Sequence, residues 1–379
     1  MRRIPTLLLI LAGATAPAAL AGQACPPPAA LDSTRARLQS LVDSLARAHP
    51  NVAGISLAVI GRGGCLRFRG AAGIANRATG ERMTPEHTHR VASNTKTYVA
   101  AAVMRLIEEG RLSLDDRLTA HVAPAHLNAL RRDGYAVDQI TVRHLLTHTA
   151  GLYDYAMDER YFAVVQANPS HRWTRSEQVD SAVAWGSPYG APGAVYHYTD
   201  TGYILLAEIV EHVTGQALAP ALRSLLSFDR LQLNATWLET LEPKPATAGP
   251  QAHQYMGALD TFIFDPSMDL FGGGGYVATP MDMASFTRAL LTGQVFRKPT
   301  TLTTMTTTMG SSGAPRIYAA GLSGARAGGV DGWGHSGFWG TWSYHFPSHD
   351  VTAAASVTEQ TDRVVSRALL EHVAQILLR

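Results

Sequence analysis

Three short segments carry side chains whose types and spacing could do chemistry. The first is Ser93-Asn94-Thr95-Lys96. Residues three apart on a helix share a face, so a hydroxyl and an amine at this spacing can meet. A serine hydroxyl is a weak nucleophile until a base removes its proton. A lysine becomes that base when burial disfavours its ammonium form. Val91, Ala92 and Val99-Ala100-Ala101-Ala102 around it are apolar, which argues against a solvated helix face. The second segment is Tyr196-His197-Tyr198-Thr199-Asp200-Thr201-Gly202-Tyr203, ahead of an apolar run. A phenol there could relay protons if nearby cations depress its pKa. The same residues would also serve as a helix cap, with Thr199 or Asp200 capping. The third is Gly332-Trp333-Gly334-His335-Ser336-Gly337-Phe338-Trp339-Gly340. Its glycines let a ligand approach the backbone closely. His335 and Ser336 can donate hydrogen bonds to a carboxylate or carbonyl. The Phe338 N–H could serve an oxyanion hole. A glycine-rich strand corner with a structural histidine is the competing reading.

The surrounding pattern predicts the elements that hold these segments. Residues 31–48 read as a helix with Asp32 and Ser33 as possible caps, since Leu38, Leu41, Val42 and Leu45 recur at helical spacing. Ala53–Ile60 and Cys65–Ala71 read as a hairpin around Gly61-Arg62-Gly63-Gly64. Helices follow at Asn94–Glu109, Thr201–Val213 and Thr279–Leu291, the last with Pro280 at its first position. Strands are predicted near Gly337–Phe346 and Val351–Thr358. A final helix carries Val364, Val365, Ala368, Leu369, Val373 and Ile376 on one side. Strands at both ends with helices between predict an α+β fold: one antiparallel sheet built from both termini, flanked by helices, with an inserted, mostly helical region. The expected division is a sheet domain from 30–115 plus 271–379 and a helical domain from 116–270.

Composition narrows the function classes. The chain has 379 residues, 46% hydrophobic and 16% charged, too apolar to be disordered. A formal charge of +2 gives no basic face for nucleic acid. Only three of the 32 basic residues are lysine: Lys96, Lys244 and Lys298. Residues 1–21 read as a signal peptide, with Arg2 and Arg3, an apolar run Leu7–Ala14, and Ala19-Leu20-Ala21 as cleavage site. That run is too short for a bilayer of about 30 Å, so an exported protein without a membrane span is expected. Losing Arg2 and Arg3 brings the 32 basic residues level with the 30 acids. Cys25 and Cys65 are the two cysteines. In an exported chain they form a disulfide candidate, with two separate thiols as the alternative.

Together and in this order, the three segments resemble the serine β-lactamase and penicillin-binding-protein superfamily, whose set is Ser-x-x-Lys, Tyr-x-Asn and Lys/His-Thr/Ser-Gly. The likeness is greatest to its class C β-lactamase and D-alanyl-D-alanine carboxypeptidase branch. Ile140–Leu152, Pro192-Gly193 and Gly272–Asp282 are similar to stretches of that branch in the same order. The resemblance implies a β-lactamase/transpeptidase-like fold and an acyl-enzyme on Ser93, with Lys96 and Tyr198 dividing the general-base role. It implies an oxyanion hole from the Ser93 and Phe338 N–H groups, and substrate contacts at Asp200, His335, Ser336 and Gly337. It implies no metal or organic cofactor. The substrate would be a small molecule or peptide: an amide, an ester, a β-lactam or a peptidoglycan peptide. One departure stands out. Asp200 occupies the place of the family's asparagine, and an ionised carboxylate accepts hydrogen bonds but cannot donate them.

Rival readings fit less well. No Gly-x-Ser-x-Gly elbow is present, because Gly334–Phe338 and Gly54–Ala58 each fail at the last position. His144 and His148, four apart on a predicted helix, lack the glutamate of a His-Glu-x-x-His metal site. His87 and His89 read as surface residues. The remaining alternative is a binding protein that keeps the fold but has lost turnover, motivated by Asp200.

Overall fold

The computed structural model describes residues 25–307 and 318–378. The expected signal peptide lies outside them. Its centre is a seven-stranded sheet in which every neighbouring pair is antiparallel. The strands lie in the order Glu81–Arg82, Leu66–Asn76, Gly54–Gly61, Val351–Val357, Thr341–Phe346, Val330–Gly337 and Ser323–Ala327. The N-terminal hairpin thus meets the C-terminal strands mid-sheet, with Leu57 opposite Ala355. This is the architecture expected from strands at both ends of the sequence.

Both faces of the sheet are covered, which explains why Gly54–Gly61 is buried at every position. Ile55, Leu57 and Val59 face a core made with the terminal helices Pro28–Ala48 and Arg363–Leu377. Ala58 and Ile60 face the opposite core, with helices Pro280–Leu291 and Thr95–Glu108. That second core runs on without a break into the helical region, through Leu145, Leu146 and Tyr203–Val210. Helix Asp200–Thr214 packs on Thr95–Glu108 and ends at Gly215, which takes the left-handed φ of 67° that glycine tolerates. Cys25 and Cys65 are joined by a disulfide, with Cα atoms 5.6 Å apart.

Several local expectations are corrected. Asp32 and Ser33 lie inside the first helix, which starts at Pro28 behind Pro27. The third segment is itself a strand, Val330–Gly337, so the strand expected from Gly337 begins earlier and turns before Thr341. Val364 is 73% exposed; the buried stripe of the last helix is Val365, Leu369, Val373 and Leu377, at a strict spacing of four. His87 and His89 are buried, not on the surface. His144 and His148 do not share a helix, because Val142–Leu146 ends before His148, which turns left-handed at φ 55°.

Candidate active site

Ser93 sits in the single turn Ala92–Asn94 that leads into helix Thr95–Glu108. Ala92 takes a left-handed φ of 47°, uncommon for a residue with a Cβ. The turn is fastened to the end of the sheet through one carbonyl. Val91 O accepts from the Asn94 side-chain amide at 2.9 Å and the Thr341 hydroxyl at 2.9 Å. The Asn94 amide also donates to Thr341 Oγ1 at 3.0 Å. Gly337 makes this approach possible, since a Cβ there would lie 2.2 Å from Val91 O and 2.4 Å from Thr341 Oγ1.

Lys96 lies beneath Ser93 with no exposed surface. Its Nζ donates to Ser93 Oγ at 2.9 Å and to Gly273 O at 2.6 Å, and pairs with Asp200 Oδ1 at 2.5 Å. These are three acceptors, one for each N–H of an ammonium. Gly273 is brought in by a small sheet of His89–Arg90, Tyr276–Ala278 and Trp237–Leu238, which ties the chain before Ser93 to the chain after the glycine run. Asp200 begins its helix, with the Thr199 side chain as N-cap.

The Tyr198 ring centroid is 4.9 Å from Lys96 Nζ. Because Ser93 Oγ accepts from Lys96, its own proton points to the Tyr198 phenol oxygen, and that hydrogen bond pulls the phenol's pKa down. Burial, then the negative charge of Asp200, outweigh it and hold the phenol well above its ordinary 10.0. His335 is pushed down to about 3, first by burial and then by the Lys96 charge. Its ring is therefore neutral. Its Nδ1–H donates to Ser336 O at 2.7 Å, and its Nε2 accepts from the Tyr318 hydroxyl at 3.1 Å.

Ser93, Tyr198, Asp200, His335, Ser336, Gly337 and Phe338 all line one cleft of about 420 Å³. The structure thus gathers the residues to which the family resemblance gave catalytic, oxyanion or substrate-contact roles, with Lys96 under the cleft floor. It adds aromatic walls from Tyr161, Phe162, Tyr196, Tyr318 and Trp339, and two further carboxyls, Asp154 and Asp269. Burial and then Asp200 raise Asp154 to about 7 and Asp269 to about 6. Asp154 Oδ1 accepts from the Asp200 N–H at 3.0 Å; Asp269 Oδ2 accepts from Trp339 Nε1 at 3.1 Å. Sequence reading missed both acids. Asp154 does follow closely on the family-like stretch ending at Leu152, and Asp269 stands three residues before the glycine run Gly272–Gly275, which is the signal they offered. Arg363 is the one arginine among the described residues lining the cleft. Among the described residues, no group of three or more His, Cys, Asp or Glu is placed to hold a metal ion, and no helix is long and apolar enough to cross a membrane.

Comparison with known proteins gives a consistent result. A family model described as Beta-lactamase matches residues 42–377. The chain is 32% identical over 227 residues to "Penicillin-binding protein 4" of Amycolatopsis lactamdurans, covering 60% of this chain and 54% of that protein. It is 31% identical over 206 residues to "Esterase EstB" of Burkholderia gladioli, covering 52% and 49% respectively. The chain thus matches about half the length of these curated relatives. Among solved structures, a D-amino acid amidase from Ochrobactrum anthropi SV3 superposes with a TM-score of 0.75 at 23% identity, covering 91% of this chain and 99% of that one. A D-stereospecific amidohydrolase from Streptomyces sp. gives a TM-score of 0.75 at 27% identity, covering 89% and 98%.

Proposed function

Since the chain belongs to the Beta-lactamase family and carries its fold, we propose that it is a serine hydrolase working through an acyl-enzyme on Ser93. The observation that carries this reading is the placement of Ser93 Oγ between Lys96 Nζ and the Tyr198 phenol, on the floor of the cleft. Ser93 Oγ attacks the acyl carbon and the Oγ–C bond forms. The serine proton passes to the Tyr198 oxygen while the phenol's own proton passes to the leaving amine or alkoxide, and the C–N or C–O bond breaks. A phenol held protonated at rest suits this exchange better than abstraction by a phenolate. Water then repeats it in reverse: its oxygen bonds to the acyl carbon, the Oγ–C bond breaks, and a proton returns to Ser93. Lys96, with its N–H groups committed to three acceptors, acts as a donor to Oγ. The Ser93 and Phe338 N–H groups receive the developing oxyanion.

The lining supports a neutral or amine-bearing amide or ester over an anionic β-lactam. Asp154, Asp200 and Asp269 face the cleft, and His335 is uncharged, so a substrate carboxylate meets little positive charge. That an esterase and a D-stereospecific amidohydrolase are among the similar proteins agrees with this. The Cys25–Cys65 disulfide supports an oxidising compartment, in line with the leader read over residues 1–21. The test compares wild type and Ser93→Ala on nitrophenyl esters, a D-amino-acid amide, a D-Ala-D-Ala peptide and a β-lactam. Mass spectrometry after exposure to a serine-reactive phosphonate locates any adduct. The expected loss in Ser93→Ala is at least about a thousand-fold, and the expected adduct is on Ser93. Equal rates in the two proteins would end the mechanism. Absence of an adduct with any acyl probe would favour the binding-protein reading, which the tight Lys96–Asp200 pair motivates.

A further inference from the structure

His148 takes part in no step above, yet it grips the segment that carries Tyr198 on both sides. Its carbonyl accepts the His197 N–H at 2.8 Å, and its Nδ1 accepts the Thr199 N–H at 3.2 Å. Between these two bonds stands Tyr198, whose ring lies against the imidazole with centroids 4.3 Å apart. His148 is 1% exposed. The left-handed turn at φ 55°, just past helix Val142–Leu146, presents carbonyl and side chain to the same three residues. An Nδ1 that accepts from an amide carries the lone pair, so in a neutral ring the proton is on Nε2. That nitrogen is buried without a hydrogen-bond partner.

We infer that His148 is the positioning residue of the proton relay: its backbone carbonyl holds His197, its neutral Nε2–H imidazole holds Thr199, and together they keep the Tyr198 hydroxyl against Ser93. A proton on Nδ1 would turn the acceptor into a donor facing a donor and release Thr199. Burial, then the Lys96 charge, keep the ring well below its usual 6.5 and so neutral. The relay needs this support because Tyr198 lies on irregular chain just before its helix, where little other regular structure fixes it.

The inference rests on Tyr198 acting on Ser93, and two substitutions isolate the clamp. Asparagine places Oδ1 two bonds from Cβ, as histidine places Nδ1, and it tolerates a left-handed φ. Glycine tolerates that φ and offers no acceptor. With a nitrophenyl ester as probe, His148→Gly should lower kcat about tenfold or more with KM within about twofold, and His148→Asn should recover most of that loss. Equal kcat in the two variants, whether both high or both low, overturns the acceptor role. A second measurement uses unmodified protein: ¹⁵N spectra of labelled histidine should assign His148 as the Nε2–H tautomer from pH 5.5 to 8.5. An Nδ1–H or charged ring overturns the inference even if the glycine variant fails to fold. The spectrum needs no activity. An active Ser93→Ala protein would therefore sink the acyl-enzyme reading and leave the tautomer result standing.

Discussion

Replacing Asp154 with asparagine removes a carboxyl that the fold keeps 97% out of water, since its exposure is 3%. Burial first, then the charge of Asp200, raise it from 3.8 to about 7, against the pull of two backbone N–H donors and Lys96. The folded state thus holds a proton that the unfolded chain gives up. For an acid raised in this way, stability falls as pH climbs from the unfolded value to the folded one, and the loss is complete above about 7. Some three pKa units at roughly 1.4 kcal/mol each amount to about 4 kcal/mol. Asparagine is uncharged throughout, and its Oδ1 can accept the same N–H groups, from Asp200 at 3.0 Å and Ala156 at 3.3 Å. The variant should therefore lead wild type by about 2 kcal/mol at pH 5 and by about 4 kcal/mol at pH 8. Urea unfolding followed by tryptophan fluorescence at both pH values reads this directly. The expected result is a lead that grows by between about 2 and 3 kcal/mol from pH 5 to pH 8. Parallel stability curves for the two proteins would refute the reasoning, because Asp154 would then ionise alike in both states.

Other substitutions probe the same charge balance and its scaffold. Asp200→Asn leaves Lys96 buried opposite an amide, which should cost about 3 kcal/mol of stability and shift kcat/KM from neutral esters toward anionic β-lactams; an unchanged ratio of the two activities counts against the electrostatic argument. Gly337→Ala places a Cβ 2.2 Å from Val91 O and pushes on the turn that carries Ser93. Its kcat should fall by roughly a hundred-fold, and a rate near wild type would show that the turn gives way freely. Reducing Cys25–Cys65 opens a loop of 40 residues, so unfolding with and without dithiothreitol should differ by up to about 4 kcal/mol. Neither cysteine lines the cleft, so kcat/KM should hold; an unmoved unfolding midpoint would refute the stabilising role.

What was legible in the chain was what local geometry encodes. Ser93 and Lys96 meet because three residues along a helix return to the same face, a rule that needs no knowledge of the rest of the fold. Thr279 with Pro280, and Gly215, marked helix ends for equally local reasons. Long-range packing hid the rest. Asp154 caps one short 3₁₀ turn and Asp269 ends another, and only tertiary structure carries them to Asp200. Gly273 contributes a backbone carbonyl, which has no side-chain signature. The strand Val330–Gly337 escaped because its glycines weaken a β pattern, yet they are what the pairing demands. At Gly334 a Cβ would stand 1.9 Å from Ser343 O.

The place of Asp200 links the two halves of the proton chemistry. A carboxylate 2.5 Å from Lys96 takes one of the lysine's N–H groups, and Gly273 O and Ser93 Oγ take the other two. A lysine so committed is placed as a hydrogen-bond donor to the serine. The same carboxylate also helps to keep the Tyr198 phenol protonated. An acid here therefore weighs against both resting bases that the family resemblance implies, and the proposed route is an exchange in which Tyr198 receives one proton as it releases another. Such an exchange tolerates little misalignment, because donor and acceptor must both be in reach at one moment. It is consistent with this demand that Tyr198 is flanked by the two hydrogen bonds to His148 and that Ser93 is tied down through Val91 and Gly337. The extra acid thus raises the premium on rigid placement, at the place where the buried Lys96 and the Ser93 hydroxyl stand together.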